Sequence, residues 1–335
     1  MLLEGFLASI HLLVAFLGTI LLTSWWIKVA RRNKLGGKDM NKYNKPFVPE
    51  AGGVAVIATV VIALLLYMFF KTFILSSQAN LLEISTLIIT LLLACFIGFI
   101  DDILGWKKGL KQWQKFVMTL PIAIPLAVIN AGNSLIDIPI LGMVDLGVFF
   151  PLILVPIGVW GATNGYNILA GYNGLEAGLG AIIIGTLSAI ALITGKLWLA
   201  LIGGIVVVSL ISFYLFNKYP SRVFPGDSLT YSLGALIASF AILGDMEKIA
   251  LFLFIPFIIE GLLKLRSRLK AENFGIPNKD GSLEPPYDKN YSLTHVSLRL
   301  LKKIKPSGKV YEKDVTYLLL IFQILLSIVT IIFLI

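Results

Sequence analysis

The stretch LLLACFIGFIDDILGW, residues 91–106, places two adjacent carboxylates, Asp101 and Asp102, directly after an apolar run. With the residues before it, this run forms an apolar segment over 84–100, close to the roughly 20 residues that a bilayer-spanning helix needs. Ionisable side chains at the edge of such a segment are costly, and they usually face a cavity or a partner. The stretch therefore predicts a membrane helix that ends in functional acids.

The rest of the chain repeats this apolar pattern. Of the 335 residues, 57% are hydrophobic and 14% are charged, whereas a soluble domain carries about 25% charged residues. The single cysteine, Cys95, excludes a disulfide scaffold. We therefore predict an all-α, polytopic membrane protein with about ten transmembrane helices. Their predicted cores are 6–28, 52–74, 84–100, 115–131, 147–163, 174–194, 197–217, 228–245, 248–265 and 316–335.

Basic residues are distributed unevenly between the loops. Of the 28 lysines and arginines, 25 lie in loops on one face of the ten-segment arrangement, and Lys71, Lys196 and Lys248 lie on the other. By the positive-inside rule the basic face is cytoplasmic, so both termini are non-cytoplasmic. Membrane topology thus accounts for part of this positive charge, and nucleic acid is not expected as a partner.

The stretch ATNGYNILAGYNGLEAGLG, residues 162–180, joins two apolar segments and contains no lysine or arginine. Asparagine and glycine are common in turns, but three asparagines and a glutamate exceed what a turn requires. Amide and carboxylate oxygens suit a metal ion, and amides also suit a base or a sugar. We interpret Asn164, Asn167, Asn173 and Glu176 as candidate ligand-binding residues.

Two further acids lie in or beside apolar segments. Asp227, in NKYPSRVFPGDSLTYSLGA at 217–235, follows Pro225 and Gly226 and opens the eighth segment. It is either a helix cap or a Mg²⁺ ligand at a helix terminus that binds an anion. Glu260, within the ninth segment, is either a packing partner for a lysine or a functional group. Together with Asp101, Asp102 and the neighbouring lysines, the polar clusters predict one cytoplasmic site for magnesium and a diphosphate.

Four motifs carry a family resemblance: KDMNKYNKPFVPEAGG (38–53), GFIDDILGW (98–106), TNGYNILAGYNGLEAG (163–178) and FPGDSLTY (224–231). The chain resembles the polyprenyl-phosphate N-acetylhexosamine-1-phosphate transferases over nearly its whole length, including their ten-span topology. NILAGYNGLEAG resembles the dolichol branch more than the peptidoglycan branch, and an archaeal member is expected. The resemblance implies a single integral membrane catalytic domain over 1–335. Its active-site face would be formed by loops at about 29–51, 101–115, 162–173, 218–227 and 266–315.

The resemblance also implies roles for individual residues. Asp227 and Asn167 would bind Mg²⁺, with Mn²⁺ as an alternative. Asp101 and Asp102 match the acidic pair, and Lys111 matches a basic residue that contacts phosphate; these three are the catalytic candidates. The substrate-binding candidates are Glu50 near the nucleotide, Asn173 at the uracil, Glu176 closing the same loop, Asn164, and the basic pair Arg266 and Arg268.

Two positions depart from the family pattern. Gly105 stands where an asparagine often follows the acidic pair. The last cytoplasmic loop reads RLKAENFGIP at 268–277, without the Arg-His-Arg or His-rich segment of other members. We expect Arg266 and Arg268, with Lys270, to supply the missing charge. His295 is either a ligand contact or an ordinary interfacial histidine.

The implied reaction moves GlcNAc-1-phosphate from a UDP-N-acetylhexosamine, UDP-GlcNAc, to a polyprenyl (dolichyl) phosphate. It releases UMP by direct attack of the lipid phosphate. Alternatives are another donor, such as UDP-N-acetylmuramoyl-pentapeptide or UDP-N-acetylgalactosamine, and a transporter. The polar residues gather on one face rather than at the midplane, which disfavours transport. We expect a multi-pass protein of the cell membrane, in contact with lipid, with its active site on the cytoplasmic face; a homodimer is compatible with the sequence.

Overall fold

The structure, a computed structural model, describes residues 2–104, 112–138 and 142–333. The helices of the first half are α1 (Leu2–Arg32), α2 (Gly53–Phe73), α3 (Leu81–Leu104), α4 (Gln112–Met118), α5 (Ile124–Val128) and α6 (Val155–Ile168). Those of the second half are α7 (Leu175–Ile193), α8 (Leu197–Asn217), α9 (Asp227–Gly244), α10 (Glu247–Leu253), α11 (Ile255–Leu265), α12 (Leu293–Ile304) and α13 (Glu312–Phe333).

Strands are confined to short antiparallel pairs in the loops. The pairs are β1 (Gly36–Lys38) with β2 (Phe47–Pro49), β3 (Leu135–Ile138) with β4 (Gly142–Asp145), and β5 (Ile276–Pro277) with β6 (Leu283–Glu284). In the first pair Gly36 lies opposite Pro49 and Lys38 lies opposite Phe47. The prediction of an all-α membrane fold is confirmed.

Among the described residues, seven helices are long and apolar enough to cross a membrane: α1, α2, α3, α7, α8, α9 and α13. They coincide with seven of the ten predicted segments, so the chain is a multi-pass membrane protein. The number ten and the side of the membrane on which the termini lie stay predictions.

The other three predicted segments are built from shorter helices. Segment 115–131 comprises most of α4, a 3₁₀ turn at Leu120–Ala123, and α5. Segment 147–163 contains a π-helical turn and the start of α6, and segment 248–265 is divided between α10 and α11. A proline lies in the first turn of each of these pieces except α4 and α10. Proline lacks an amide hydrogen and clashes with the preceding turn, so it interrupts a continuous helix.

Helix α9 lies at the centre of the bundle. Sixteen of its 18 residues are buried, and it packs against α2, α3, α6, α7 and α10. Two of its buried hydroxyls are satisfied within the helix: Ser232 donates to the Ser228 carbonyl and Ser239 donates to the Ala235 carbonyl, each at 2.7 Å. A polar helix can therefore occupy the middle of an apolar bundle.

At Gly98, α3 contacts the backbone of the first turn of α9. A Cβ at Gly98 would lie 2.3 Å from the Asp227 carbonyl oxygen, closer than atoms can pack, so only glycine fits there. Asp101 and Asp102 follow Gly98 by about one helical turn. The close contact therefore brings both acids to the beginning of α9.

We expect Gly98→Ala to lower the free energy of unfolding by about 1–3 kcal/mol, the usual range for overpacking. Thermal unfolding of the detergent-solubilised protein measures this loss. Gly185→Ala in α7 is the matched control, because its added Cβ would lie 3.7 Å from Val207 and alanine is the better helix former. Equal unfolding temperatures for Gly98→Ala and wild type would contradict the close contact.

Candidate active site

A polar cavity of about 270 Å³ lies beside the first turn of α9. Five of the predicted site residues line it, although they are distant in sequence: Glu50, Asn167, Asn173, Glu176 and Asp227. The structure therefore brings together the loop before α2, the end of α6, the start of α7 and the start of α9. We refer to this space as the polar cavity.

Asp102 caps the N-terminus of α9 from the end of α3. The backbone N–H of Asp227 donates to Asp102 Oδ1 at 2.6 Å, and that of Ser228 donates to Oδ2 at 3.1 Å. Gly226 precedes them with φ of 71°, and a Cβ there would lie 2.3 Å from Asp102 Oδ2. The carboxylate satisfies two amides that the helix leaves without partners and complements the helix dipole.

Asp101 faces a different group. Lys115, on α4, forms ion pairs with both Asp101 and Asp227, and its Nζ lies 3.0 Å from Asp227 Oδ2. The side chain of Asp101 is 6% exposed and that of Asp227 is 22% exposed. The two adjacent acids thus have different roles: Asp102 caps α9, whereas Asp101 and Asp227 both pair with Lys115.

The asparagines of α6 are fixed by neighbouring helices. Asn164 donates to Thr119 Oγ1 at 2.8 Å and to the Trp160 carbonyl at 2.9 Å. Asn167 Oδ1 accepts a hydrogen bond from Thr230 Oγ1 at 2.8 Å, and Thr230 lies three residues after Asp227. Since residues three apart share a helix face, this bond places the Asn167 amide oxygen on the side of α9 that carries Asp227.

Glu176 closes the loop between α6 and α7. Its Oε1 accepts from the Gly171 N–H at 2.7 Å, while its backbone carbonyl accepts from the Tyr166 hydroxyl at 2.7 Å. Its Oε2 is buried without a hydrogen-bond partner among the described residues. Since Glu176 lines the polar cavity, this oxygen is a candidate acceptor for a ligand hydroxyl or N–H group.

Glu50 brings a further acid to the polar cavity. Its backbone carbonyl accepts from the Trp26 indole at 2.8 Å, which ties the loop to α1. Burial, together with the negative charges of Asp227 and Asp101, raises the pKa of the Glu50 carboxyl to about 7. Glu50 therefore gains a proton more easily than an exposed glutamate, and a bound cation would reverse that tendency.

A second cavity, of about 260 Å³, adjoins the first. It contains two lysines, Lys115 and the buried Lys264, and we refer to it as the basic cavity. Lys264 Nζ donates to the Ala271 carbonyl at 2.5 Å and lies 3.9 Å from Glu260. Because Asn167 lines both cavities, the two spaces meet at the C-terminal end of α6.

Glu260 accepts from the Leu293 N–H at 2.6 Å and from the Ser292 hydroxyl at 3.0 Å. These bonds fasten the start of α12 to α11. Of the two roles considered for Glu260, these contacts favour a packing role.

An apolar groove of about 550 Å³ lies beyond the basic cavity, between α6, α9, α10 and α11. Ile168 lines both the groove and the basic cavity. The breaks between α10 and α11 and before α6 adjoin this groove, since Phe254 and Leu154 line it. Neighbouring spaces that share lining residues therefore extend from the polar cavity to an apolar groove of the bundle.

The polar cavity contains hard oxygen donors suited to magnesium, the Asp227 carboxylate and the Asn167 amide oxygen. In the described part of the chain, no cluster of three or more His, Cys, Asp or Glu side chains is arranged to hold a metal ion. Mg²⁺ commonly takes one or two carboxylates and completes its shell with substrate phosphates and water. The donor set therefore fits an ion that binds together with a phosphate-bearing substrate.

Two predicted residues do not join this group, and a third, Lys111, lies outside the described residues. Arg266 and Arg268 are exposed, and within the described chain neither lines the polar or the basic cavity. The cation that this region contributes to the basic cavity is Lys264, at the end of α11, which the sequence analysis did not select.

His295 is held by the protein at both ring nitrogens. Nδ1 accepts from the Tyr291 N–H at 3.3 Å, and Nε2 lies 3.0 Å from the Glu272 carbonyl, to which it donates. Burial, together with the positive charge of Lys264, lowers the pKa of His295 to about 4. The contacts favour the interpretation of His295 as a packed, neutral histidine.

The described bundle thus combines a cavity lined by carboxylates and amides with an apolar groove, an arrangement suited to an enzyme that joins a polar substrate to a lipid. The sequence profile of glycosyl transferase family 4 matches residues 84–245. A protein of Saccharolobus solfataricus is 34% identical over 86% of this chain and 87% of its own length. It carries the provisional name UDP-N-acetylglucosamine–dolichyl-phosphate N-acetylglucosaminephosphotransferase, as does a protein of Sulfolobus acidocaldarius that is 32% identical over 98% of this chain and 96% of its own length.

A bacterial relative carries a different name. The phospho-N-acetylmuramoyl-pentapeptide-transferase of Halalkalibacterium halodurans is 30% identical over 75% of this chain and 79% of its own length. The chain therefore belongs to glycosyl transferase family 4, and it is a transferase. This confirms the resemblance stated from the motifs.

The capping geometry predicts different effects for the two adjacent acids. Asp102→Ala should lower the free energy of unfolding by about 1–2 kcal/mol, because two helix-terminal amides lose their acceptor. Asp102→Asn keeps one acceptor oxygen and should give an intermediate loss, while Asp101→Ala leaves both amides bonded. Thermal unfolding of the three variants in detergent measures the order of their losses in stability. A larger loss for Asp101→Ala than for Asp102→Ala would contradict the assigned roles.

Proposed function

We propose that this chain transfers GlcNAc-1-phosphate from UDP-GlcNAc to a polyprenyl phosphate of the dolichyl type. The product is a lipid-diphosphate-linked sugar for glycan or glycoprotein assembly, and UMP is released. The names of the archaeal relatives support this substrate pair. The observation that carries the proposal is the series of spaces from the polar cavity, through the basic cavity, to the apolar groove.

The reaction balances without a further reactant. An oxygen of the lipid phosphate bonds to the β-phosphorus of UDP-GlcNAc, and the bond from that phosphorus to the bridging oxygen breaks. The electron pair of that bond leaves with UMP. A phosphate monoester has its second pKa at about 6, so the nucleophile is ionised at neutral pH. Direct attack is therefore favoured over a covalent aspartyl intermediate, since phosphoryl transfer depends mainly on positioning and charge neutralisation.

The acids of the polar cavity would hold the diphosphate of the donor through a bound metal ion. In this proposal Asp227 and Asn167 hold Mg²⁺, or Mn²⁺ in its place, which when bound neutralises charge on the phosphates. Thr230 keeps the Asn167 oxygen in position, and Asp102 keeps the first turn of α9 in position. Asp101 holds Lys115 next to Asp227, so that the ammonium neutralises the transferring phosphate.

The remaining predicted residues would bind the nucleotide sugar. Asn173, Glu176 and Glu50 line the polar cavity and supply hydrogen-bonding groups for the base and the ribose. Asn164 lines the basic cavity. Phosphate contact by Lys111 stays a prediction of the family resemblance.

The acceptor lipid would lie in the apolar groove with its phosphate in the basic cavity. Isoprenoid chains are apolar, and the groove is bordered by α9, which is long and apolar enough to cross the bilayer. Lys115 and Lys264 provide two positive charges for the phosphate. The substrate-binding role of Arg266 and Arg268 stays a prediction, because neither side chain lines the polar or the basic cavity in the described chain. The positive charge of the loops supports an active site on the cytoplasmic face of the cell membrane.

UMP release by purified protein tests the proposal. With UDP-GlcNAc, dolichyl phosphate and Mg²⁺, wild type should release UMP, and omission of either the lipid or the metal should abolish the release. Asp227→Asn should reduce the rate by about 100-fold or more, the usual cost of losing a group that stabilises transition-state charge. Asp245→Asn, an exposed acid at the other end of α9, is the matched control and should retain wild-type activity.

Two outcomes would contradict the proposal. Full activity of Asp227→Asn would refute the metal assignment. Release of UMP from UDP-N-acetylmuramoyl-pentapeptide but not from UDP-GlcNAc would show that the donor is the one named for the bacterial relative.

A further inference from the structure

Three charged residues that the sequence analysis did not select form a largely buried cluster beside the polar cavity, and one of them, Asp39, also lines that cavity. Lys42 pairs with Asp39, at 3.2 Å from Oδ2, and with Glu312 at the start of α13. The side chains of Asp39 and Glu312 are 6% and 2% exposed, and the Lys42 ammonium lies 4.2 Å from the ring centre of Tyr219. We refer to Asp39, Lys42 and Glu312 as the charged cluster.

The charged cluster is bonded to Asn173. Glu312 Oε1 accepts from the backbone N–H of Asn173 at 2.8 Å. Asp39 Oδ2 accepts from its side-chain Nδ2 at 3.1 Å, and Glu312 Oε2 lies 3.4 Å from the same nitrogen. An ionised carboxylate accepts hydrogen bonds but cannot donate them, so the amide group must present its nitrogen to the cluster. The Asn173 amide oxygen then lies on the opposite side of the planar group.

A second set of bonds holds the segment that carries Asp39. The Asn41 N–H donates to Asp39 Oδ1 at 3.2 Å, and Asn41 Nδ2 donates to the Gly171 carbonyl at 3.1 Å. Asn41 Oδ1 accepts from the Gly275 N–H at 3.0 Å. The charged cluster and Asn41 therefore join four chain segments around the loop that leads into α7.

Stability alone does not explain a buried group of two carboxylates and one ammonium. Desolvation of such charges is costly, and apolar side chains of similar size often stabilise a protein at least as well. A buried ion cluster does fix the orientation of polar neighbours, because each carboxylate oxygen accepts from a particular donor. Here the oriented neighbour is Asn173, which lines the polar cavity.

We propose that Glu312, together with Asp39 and Lys42, is a positioning group for nucleotide binding. It holds the Asn173 amide in the one orientation that presents its oxygen as an acceptor to a donor N–H, such as the imide of a uracil base. This inference rests on the proposed function, since it assigns the base of a UDP-sugar to the Asn173 end of the polar cavity. None of the three residues touches the transferring phosphate in this account.

Glu312→Gln tests the inference with little change of size. The glutamine can still accept from the Asn173 backbone, but its amide group places a second donor near Lys42 and Asn173 Nδ2. We expect the KM for UDP-GlcNAc to rise about ten-fold, while kcat and the KM for dolichyl phosphate stay within about two-fold of wild type. Ten-fold corresponds to about 1.4 kcal/mol. Glu312→Asp, which restores the carboxylate, should recover part of the affinity.

Direct titration with UDP separates this inference from the proposed function. Glu312→Gln should bind UDP about ten-fold more weakly than wild type, whether or not UMP release is observed. Asp39→Asn, which also places a donor against Asn173 Nδ2, should behave similarly and replaces Glu312→Gln if that variant unfolds in detergent. Glu284→Gln, a partly exposed acid paired with Lys302, is the matched control and should bind UDP as wild type does.

Unchanged UDP affinity in a folded Glu312→Gln or Asp39→Asn variant would overturn the inference and leave the proposed function standing. A fall in kcat with unchanged affinity would also overturn it, because the cluster would then act on the chemical step. Wild type that binds UDP but releases no UMP with any lipid phosphate would refute the proposed function while leaving the positioning result interpretable.

Discussion

The arrangement of the active site depends on the capped N-terminus of α9. This helix is buried along almost its whole length, so its first amides need acceptors where water has little access. Asp102 supplies both acceptors from α3, and the glycine contact at Gly98 allows the two backbones to approach closely enough. The same approach brings Asp101 to Lys115 and Asp227. The need to satisfy the buried end of this helix thus brings together the charged groups to which the proposed function assigns roles in phosphate chemistry.

The interrupted helices contribute the complementary part of the site. A bundle of continuous helices would close over its apolar core, whereas the proline-containing segments before α6 and between α10 and α11 adjoin an open groove. The groove meets the basic cavity at Ile168, one residue from Asn167. A substrate with an apolar chain and a charged head can therefore place its two ends in environments of matching polarity. The match between these environments and the two ends of such a molecule, rather than any single contact, supports a lipid phosphate as the proposed acceptor.

The sequence predicted those features that depend on local signals. Apolar length identified the seven long helices, and acids at the edges of apolar segments identified Asp101, Asp102, Glu176 and Asp227. Contacts between distant segments gave no local signal, since the bond from Asn173 to Glu312 joins residues 139 positions apart. Glu312 does lie at the edge of an apolar helix, but that position alone does not indicate its partner. Lys264 was overlooked in favour of Arg266 and Arg268, because only the fold shows which basic side chain of that region is directed into a cavity.

The most direct test of the account is an experimental structure of the protein with UDP-GlcNAc and Mn²⁺, in which anomalous scattering locates the metal. The account predicts one strong peak between Asp227 and Asn167, next to the diphosphate, with the uracil at the Asn173 end of the polar cavity. A nucleotide bound outside the polar cavity, or a metal held without Asp227, would contradict the central claim.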